Sequence, residues 1–265
     1  MKELLTTQEY LVHIDKYPRT IYVLHEKSER RFPVHYHTKG QLTYVEGGIA
    51  YVHTEGNTYV IPARHYIWIP GQLSHFLQMG NSATAIRTIY FHMDIGDSIF
   101  YQHMGIYPIN NLLHEMILYT SRYHGDQEPQ SKSFIFLMAL KNMLPESEKH
   151  SLPIILPTTQ NQRLRPVLQY LNQNAGQVLT LQTVSSQFGL SERSLSRLFQ
   201  LVLSISFLQY LRQLRMVKAV EMMLQTDLNL SQIAYATGYG SISAFSNTFY
   251  QLTQQRPSLF VGSLP

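Results

Sequence analysis

Two stretches in the last third of the chain decide how that part folds: residues 180–199 read TLQTVSSQFGLSERSLSRLF, and residues 229–249 read NLSQIAYATGYGSISAFSNTF. Each stretch opens on a residue suited to a helix N-cap, Thr180 or Asn229. Apolar or small side chains then follow at the i, i+3, i+4, i+7 spacing of one helix face. Nine residues after each cap stands a glycine, Gly189 or Gly238, which permits the left-handed backbone that ends many helices. Both stretches therefore predict a helix, a glycine turn and a second helix.

The second helix of each copy has one face that predicts burial. These apolar faces consist of Leu195, Leu198, Phe199 and Val202 in the first copy and of Phe245, Thr248, Phe249 and Leu252 in the second. The two caps and the two glycines stand 49 residues apart, and the buried positions of the second helices stand 50 apart, so the pattern occurs twice at nearly the same distance. A repeated helix, turn and helix is typical of a DNA-binding helix-turn-helix pair.

The opposite faces of these second helices carry the candidate DNA contacts. They are Arg193, Ser194, Ser196, Arg197 and Gln200 in the first copy, and Ser243, Ser246, Asn247 and Tyr250 in the second. Arginine pairs with two acceptors of guanine in the major groove, and asparagine or glutamine pairs with adenine. The alternative is an ordinary solvated helix face. We expect unequal copies, with the first contacting more bases.

The segment between the copies, residues 206–225, reads SFLQYLRQLRMVKAVEMMLQ and predicts one long amphipathic helix. Arg212 and Arg215 are candidate phosphate contacts on it. As a rigid connector, this helix would place the two copies about one DNA turn (~34 Å) apart.

Charge and histidine are distributed unevenly along the chain. Residues 1–154 hold 13 Lys and Arg against 14 Asp and Glu, a net of −1, whereas residues 155–265 hold 8 against 3, a net of +5. All 12 histidines lie between His13 and His150. A basic, histidine-free part suits a polyanion, and a neutral, histidine-rich part suits a small ligand.

The absence of cysteine excludes disulfides, thiolate catalysis and cysteine-bound zinc. We expect no signal peptide and no membrane span, because no run of about 18 apolar residues occurs. The expected location is the cytoplasm.

The first part of the chain predicts a β domain. Residues 20–93 contain short alternating segments separated by glycine turns, which indicates an antiparallel sandwich or barrel. The predicted organisation is a sensor barrel over 1–95, a helical dimerisation region over 96–144, a linker over 145–158 and the DNA-binding domain over 159–265. The two helices expected within about 108–144 offer candidate dimer contacts at Leu112, Leu113, Met116, Phe134, Phe136 and Leu140. The alternative for these residues is packing against their own barrel.

Residues 35–41, HYHTKGQ, place His35 and His37 two positions apart, so both would point to the same face of a strand. Such a pair predicts either a metal site or a metal-free pocket whose histidines hydrogen-bond an effector or each other.

Residues 159–260 resemble the DNA-binding domain of the AraC/XylS family of bacterial transcription regulators. The resemblance rests on LSERSLSRLFQ, on the connecting helix, on IAYATGYGSISAFSNTFYQ and on Pro257. The family often has glycine where Ser204 and Gln254 stand, and arginine where Asn247 stands. The resemblance implies a regulator that binds double-stranded DNA as a homodimer and that, if it is an activator, also contacts RNA polymerase.

Residues 30–80 resemble a cupin (jelly-roll) barrel, a common sensor domain in that family. The resemblance rests on HYHTKGQLTYVEGG and RHYIWIPGQLSH, with Gln41 where glutamate is usual, Arg64 where glycine is usual and Gly71 one position earlier than typical. It implies that His35, His37, Gln41 and His75 converge inside the barrel.

Three imidazoles and one oxygen donor suit zinc, iron, nickel, copper or manganese. A neutral glutamine in place of glutamate should lower the affinity for the metal. The sequence thus predicts a multidomain regulator with an all-β sensor and an all-α reader that responds to a small-molecule effector or a metal. The competing interpretations are a metal-dependent cupin enzyme, of the oxygenase or isomerase type, and a partner-binding adaptor. No catalytic residue is predicted.

Overall fold

The computed structural model describes residues 7–26, 33–80, 85–146, 151–152 and 154–262. The chain forms two compact units, one made of residues 1–54 and 61–153 and the other of residues 55–60 and 154–264. We call them the N-terminal and the C-terminal domain. Within the described ranges, no helix has the length and apolar character needed to cross a membrane.

The N-terminal domain is built on a six-stranded antiparallel sheet with the order β8-β5-β2-β7-β1-β9. Its strands are β1 (Ile21–Glu26), β2 (Gly40–Val45), β5 (His65–Ile69), β7 (Ile86–Phe91), β8 (Gly105–Pro108) and β9 (Gly125–Gln127). In the centre of the sheet, Leu42 lies opposite both Trp68 and Ile89. This register keeps apolar side chains together on one face, since side chains alternate along each strand.

Strands of a second sheet complete the β region. They are β3 (Ile49–His53), β4 (Asn57–Pro62) and β6 (Phe76–Met79), and β3 pairs antiparallel with β6. Residues 21–127 thus contain the all-β part of the chain, which confirms the predicted fold class for this half.

One face of the six-stranded sheet carries the main core of this domain. The helices that contribute to this core are α2 (Asn111–Tyr119) and α3 (Lys132–Met143), and a further helix, α1 (Thr7–Ile14), precedes β1. Leu42, Tyr44 and Trp68 are fully buried in this cluster. Burying such side chains contributes roughly 1.5–3 kcal/mol each. By strand alternation, Gln41 and Thr43 belong to the opposite face of the same sheet.

Five of the six candidate dimer contacts belong to this core. Leu113 and Leu140 are buried in it, and Met116, Phe134 and Phe136 pack against it. Leu112, by contrast, is 60% exposed. Packing within their own domain, the alternative considered above, therefore accounts for five residues of the set.

The segment 96–144 also contributes strands, which the sequence did not predict. Strand β8 pairs with β5, and the three-residue strand β9 pairs with β1. Strand β9 reads GDQ, with no apolar alternation, and its pairing comes from tertiary contact.

The C-terminal domain is helical apart from residues 57–60 of β4 and the short strand β10 (Ile155–Pro157). Strand β10 pairs with Asn57–Tyr59 of β4 and lies in the segment interpreted as a linker. Its helices are α4 (Arg165–Gln173), α5 (Leu181–Gln187), α6 (Glu192–Leu203), α7 (Phe207–Gln225), α8 (Leu230–Ala236), α9 (Ile242–Thr253) and α10 (Pro257–Gly262). We call α5 with α6 the first helix-turn-helix unit, and α8 with α9 the second. The all-α fold predicted for this half is confirmed.

Both predicted N-caps are formed. The Thr180 side chain accepts a hydrogen bond from the backbone N–H of Thr183, and the Asn229 side chain accepts one from that of Gln232. In each case the third residue of the helix bonds back to the cap, which completes a capping box.

The two units share their turns and their aromatic packing. Gly189 (φ +63°) and Gly238 (φ +82°) adopt the left-handed backbone expected of them. Phe199 packs edge-on against Tyr210, with 5.6 Å between ring centroids, and its counterpart Phe249 packs against Phe260 at 5.4 Å. The repeat therefore extends past the second helix of each unit into the helix that follows it.

Candidate functional site

The first unit exposes the face of α6 that the sequence assigned to DNA. Arg193, Arg197 and Gln200 are exposed, and so are Ser194 and Ser196. The opposite face is buried through Leu195 and Phe199, which fixes the orientation of the helix. The two guanidinium groups stand four residues apart, so they lie one turn apart on the same helix surface.

The second unit exposes the equivalent face of α9 but carries different chemistry. Ser243, Asn247 and Tyr250 are exposed and Ser246 is half-buried, while Phe245 and Phe249 are buried. Helix α9 contains no charged side chain. The Arg256 guanidinium, which follows α9 in the chain, lies 4.9 Å from the centre of the Tyr250 ring.

The connecting helix α7 carries both candidate phosphate contacts, and their side chains differ in exposure. Arg212 is exposed, whereas Arg215 is half-buried. Arg215 donates from Nε to the Ala175 carbonyl at 3.0 Å and from a terminal nitrogen to the Gln177 carbonyl at 2.8 Å. These bonds tie α7 to the loop that precedes the first unit. With 19 residues, α7 is about 28 Å long.

The turn of the second unit rests against the same arginine. A Cβ added at Gly238 would lie 2.7 Å from a terminal nitrogen of Arg215, and one added at Gly176 would lie 2.3 Å from the Ala236 carbonyl oxygen. Arg215 therefore contacts elements on both sides of α7, which the sequence did not indicate because its spacing matches that of an exposed cation. A phosphate contact by Arg215 stays a prediction.

The N-terminal domain brings together the four predicted metal ligands. The ligand atoms of His35, His37 and His75 lie within 4.8 Å of one another. Gln41 Oε1 lies 2.8 Å from His37 Nε2 and 3.1 Å from His75 Nε2. His75 reaches the cluster because its backbone exchanges two hydrogen bonds of 2.9 Å with that of His35. Only Gln41 lies in a regular strand, β2.

Backbone carbonyls fix the tautomer of each histidine ring. The Nδ1 atoms of His35, His37 and His75 lie 2.8, 2.6 and 2.8 Å from the carbonyl oxygens of residues 33, 39 and 73. Since a carbonyl oxygen only accepts, each Nδ1 carries the hydrogen and each neutral ring keeps a lone pair on Nε2. Such an Nε2 lone pair is what a metal ion requires.

The Gln41 side chain is oriented so that its oxygen faces the histidine cluster. Its Nε2 donates to Thr43 Oγ1 at 2.8 Å, which turns Oε1 towards His37 and His75. The neutral rings of His37 and His75 then direct their Nε2 lone pairs at Gln41 Oε1, which itself carries lone pairs and no hydrogen. A cation between these atoms would convert the repulsion into attraction, so the donor set fits a metal ion.

Burial keeps these rings neutral. It lowers the pKa of His75 to about 3, with a further lowering from His35. Burial also lowers the pKa of His35 and His37 below 6.5, although the Gln41 hydrogen bond opposes this at His37. Neutral imidazole therefore persists at His75 well below pH 6.5, and at all three rings burial weakens the competition of protons for Nε2.

Sequence reasoning missed two neighbours of the cluster. Lys39 is buried, and its ammonium contacts Thr20 Oγ1 at 3.1 Å and Asp126 at 4.0 Å. Asp15 accepts hydrogen bonds from the Thr38 backbone N–H at 2.7 Å and from the Thr38 hydroxyl at 2.9 Å. Lys39 disfavours a cation at His37 and Asp15 favours one, as their opposite effects on the pKa of His37 indicate.

Other histidines make contacts typical of structural residues. His53 stacks on Phe76 with 4.4 Å between ring centroids, and His92 lies 3.2 Å from an Asp94 carboxylate oxygen. His65 is buried and lies 3.0 Å from the Ala63 carbonyl. None of them belongs to the group of potential metal ligands found among the described residues.

Comparison with known proteins matches both halves of the chain. The profile of a helix-turn-helix domain matches residues 184–262, and that of an AraC-like ligand binding domain matches residues 21–118. The HTH-type transcriptional regulator NimR of Escherichia coli (strain K12) is 25% identical over 240 residues, covering 88% of this chain and 83% of its own. The HTH-type transcriptional activator RhaS of Klebsiella pneumoniae (strain 342) is 22% identical over 235 residues, covering 82% and 83%.

Among solved structures, the C-terminal domain of AraT, a response regulator from Geobacillus stearothermophilus, is 31% identical to this chain. The match covers 40% of this chain and 88% of that domain, with a TM-score of 0.39.

Proposed function

Because this chain belongs to the AraC family of DNA-binding transcription regulators and has a ligand-binding N-terminal domain, we propose that it controls transcription in response to a small-molecule effector or a metal ion. The two helix-turn-helix units contact neighbouring segments of one double-stranded operator. The observation that carries this proposal is the exposure of the α6 face around Arg193 and Arg197 while Leu195 and Phe199 are buried.

The test is a gel shift with genomic fragments bound by the full chain, followed by a salt titration. Each phosphate that an Arg or Lys side chain neutralises adds about −0.9 to the slope of log affinity against log salt. Selective retention of a few fragments with a steep slope supports the proposal. Retention of all fragments with equal affinity would reject a sequence-specific regulator.

We also propose that His35, His37, Gln41 and His75 hold one divalent transition metal, of the set zinc, iron, nickel, copper and manganese. The support is the convergence of three Nε2 lone pairs on the Gln41 oxygen. The metal would link the segment 35–37, strand β2 and His75, so its binding stabilises the fold of this domain and supplies an inorganic signal.

Metal analysis of protein purified without a histidine tag tests this site. After supplementation with each metal in turn, we expect one bound ion per chain, lost in His75→Ala and retained in His103→Ala, which removes an exposed histidine outside the cluster. Gln41→Glu restores a negative charge to the donor set and should raise the affinity. Less than one-tenth of an ion per chain with every metal would reject the site.

The remaining partners follow from the proposed regulation. We propose a homodimer that uses the exposed side chains Leu112 and Ile135, each 60% exposed on α2 and α3. An activating role would require contact with RNA polymerase, as the name of RhaS suggests for that relative. We propose the cytoplasm as its location, because a transcription regulator needs access to chromosomal DNA.

Among the residues that the structure describes, the group of potential metal ligands contains three histidines and no carboxylate, so it does not favour the competing interpretation as a metal-dependent enzyme. A cupin oxygenase or isomerase needs a general acid or base at the metal. Asp15 is the acidic residue whose charge raises the pKa of His37. Both of its carboxylate oxygens already accept hydrogen bonds from Thr38. We therefore assign no catalytic residue.

A further inference from the structure

A cavity of about 420 Å³ opens on the N-terminal domain beside the histidine cluster. One wall comes from Thr38 and from residues 70–72, and the other from residues 93–102. This volume is within the range of small-molecule sites. The cavity lies inside the stretch that matches a ligand-binding domain.

The first wall is rigid. A Cβ added at Gly71 would lie 2.2 Å from the Thr38 carbonyl oxygen, so the two backbones touch. The backbone N–H of Gln72 donates to the His37 carbonyl at 2.6 Å. The wall is therefore formed before any ligand arrives, and it adjoins the segment that carries His37.

The lining combines negative charge with apolar surface. Its charged side chains are Asp94 and Asp97, and no lining residue is Lys, Arg or His. Pro70, Met93 and Tyr101 offer apolar contact. An anion would lose its hydration here without gaining a cationic partner.

The two carboxylates differ in their partners. Asp97 accepts from the buried ammonium of Lys141 at 2.7 Å, which neutralises it locally. Asp94 lies 3.2 Å from His92, but burial lowers the pKa of His92, so this ring is neutral at pH 7. The cavity thus carries a net charge of about −1 and suits one positive charge on an apolar body.

The second wall is attached to helix α3. The Lys141 ammonium bonds both Asp97 and the His92 carbonyl, at 2.7 and 3.0 Å. The Tyr101 hydroxyl donates to the Lys141 carbonyl, and the His92 ring stacks on Phe134 at 5.4 Å. A ligand that displaces the segment 93–98 must therefore act on α3.

We propose that this cavity is the effector site, that it binds a small organic cation carried on an apolar or aromatic body, and that the Asp97–Lys141 pair transmits its binding to α3. This inference rests on the proposed ligand-responsive regulation and names the chemical class of the effector and its place.

Three probes of one shape test the charge preference: tryptamine, tryptophol and indole-3-acetate, which are cationic, neutral and anionic at pH 7.5. Saturation-transfer NMR on the full chain should give a dissociation constant for tryptamine about three- to fivefold below that for tryptophol. Indole-3-acetate should bind more weakly than either. No tryptamine binding up to its solubility limit, or equal affinity for the three probes, would overturn the proposal.

Two variants locate the site. Asp94→Asn should remove the preference for tryptamine over tryptophol. Glu115→Gln should keep it, because this carboxylate is 75% exposed on α2 and does not line the cavity. A preference that persists in Asp94→Asn would place the binding elsewhere.

Hydrogen exchange tests the link to α3. Tryptamine should change the protection of amides in residues 132–143, and the midpoint of this change should lie at an about three- to fivefold higher tryptamine concentration in Asp94→Asn than in the unsubstituted protein. An unaltered α3 in the unsubstituted protein would reject the transmission. The gel shift without any probe reports separately on DNA binding. Loss of the regulator proposal and loss of this effector site are therefore distinguishable outcomes.

Discussion

The two helix-turn-helix units of the C-terminal domain share a backbone and differ in their surfaces. Both have a capping box, a left-handed glycine and a phenylalanine buried at the same place in the second helix. The exposed face of α6 carries Arg193 and Arg197, whereas α9 carries no charge. Duplicated packing thus preserves the shape of the unit, while the outward residues are free to take separate tasks in DNA recognition.

The largest effect is expected from the guanidinium of the first unit. Arg197→Ala should weaken operator binding by about 1–3 kcal/mol, or roughly 5–150-fold, and relax the preference for guanine at the bases it contacts. Asn247→Ala should cost less, because the second unit contributes fewer base contacts. Selection from randomised operators measures both preferences.

Arg163→Ala is the charge-matched control, since this arginine is exposed outside both units. It should leave base preference unchanged. Equal losses of preference in Arg197→Ala and Asn247→Ala would show that the surface difference between the units has no functional meaning.

Alanine substitutions at the two turn glycines should differ in how much they lower the free energy of unfolding. Alanine in left-handed backbone costs roughly 1 kcal/mol, which is the whole expected effect of Gly189→Ala because its added Cβ meets nothing within 4 Å. Gly238→Ala should cost about 2 kcal/mol, because its Cβ also collides with Arg215. Urea unfolding measures the difference, and identical midpoints for the two variants would contradict the contact between Gly238 and Arg215.

The arginines of α7 should separate structure from DNA contact. Arg215→Met removes hydrogen bonds to Ala175 and Gln177 and should lower the free energy of unfolding by about 1.5 kcal/mol. Arg212→Met should leave stability unchanged and reduce the magnitude of the salt slope of DNA binding by about 1. A stable Arg215→Met protein with the reduced slope would instead identify Arg215 as a phosphate contact.

The smallest effect should be shared by both units. Ser204 (φ +58°) and Gln254 (φ +57°) end α6 and α9 in left-handed backbone. Ser204→Gly and Gln254→Gly should each stabilise the protein by about 0.5–1 kcal/mol, since glycine adopts this conformation without steric cost. Gln251→Gly, in the exposed interior of α9, should destabilise it by a similar amount. The same sign for all three variants would refute the assignment of strain.

The sequence predicted correctly those features whose signals lie within one short segment. The caps at Thr180 and Asn229 and the glycines nine residues later are local signals, and the structure confirms each of them. The resemblance to known families supplied what spacing alone does not, namely that His75 joins His35, His37 and Gln41 although it lies 34 residues beyond Gln41.

The departures from the family patterns are informative in their own right. Arg64, Ser204 and Gln254 stand where glycine is usual, Gln72 directly follows the early Gly71, and all four adopt positive φ. The backbone conformation therefore persists without the residue that favours it, because the surrounding packing determines it.

Buried cations and composite walls escaped prediction. Lys39 and Lys141 look like solvated residues in the sequence, yet partners 87 and 44 residues away, Asp126 and Asp97, retain them in the interior. The cavity lining likewise comes from three separate segments, so no single stretch of sequence predicts the cavity.

The most direct test of the central claim uses the absence of cysteine from the chain, which lets one reactive thiol be placed at will. The variants Ser196→Cys and Ser246→Cys place a thiol at equivalent positions of α6 and α9. A DNA-cleaving iron chelate is then coupled to that thiol in each variant. We predict two cleavage patches on one operator, centred about one helical turn (~10 base pairs) apart. Cleavage from α6 alone, or coincident patches from both positions, would contradict recognition by two units.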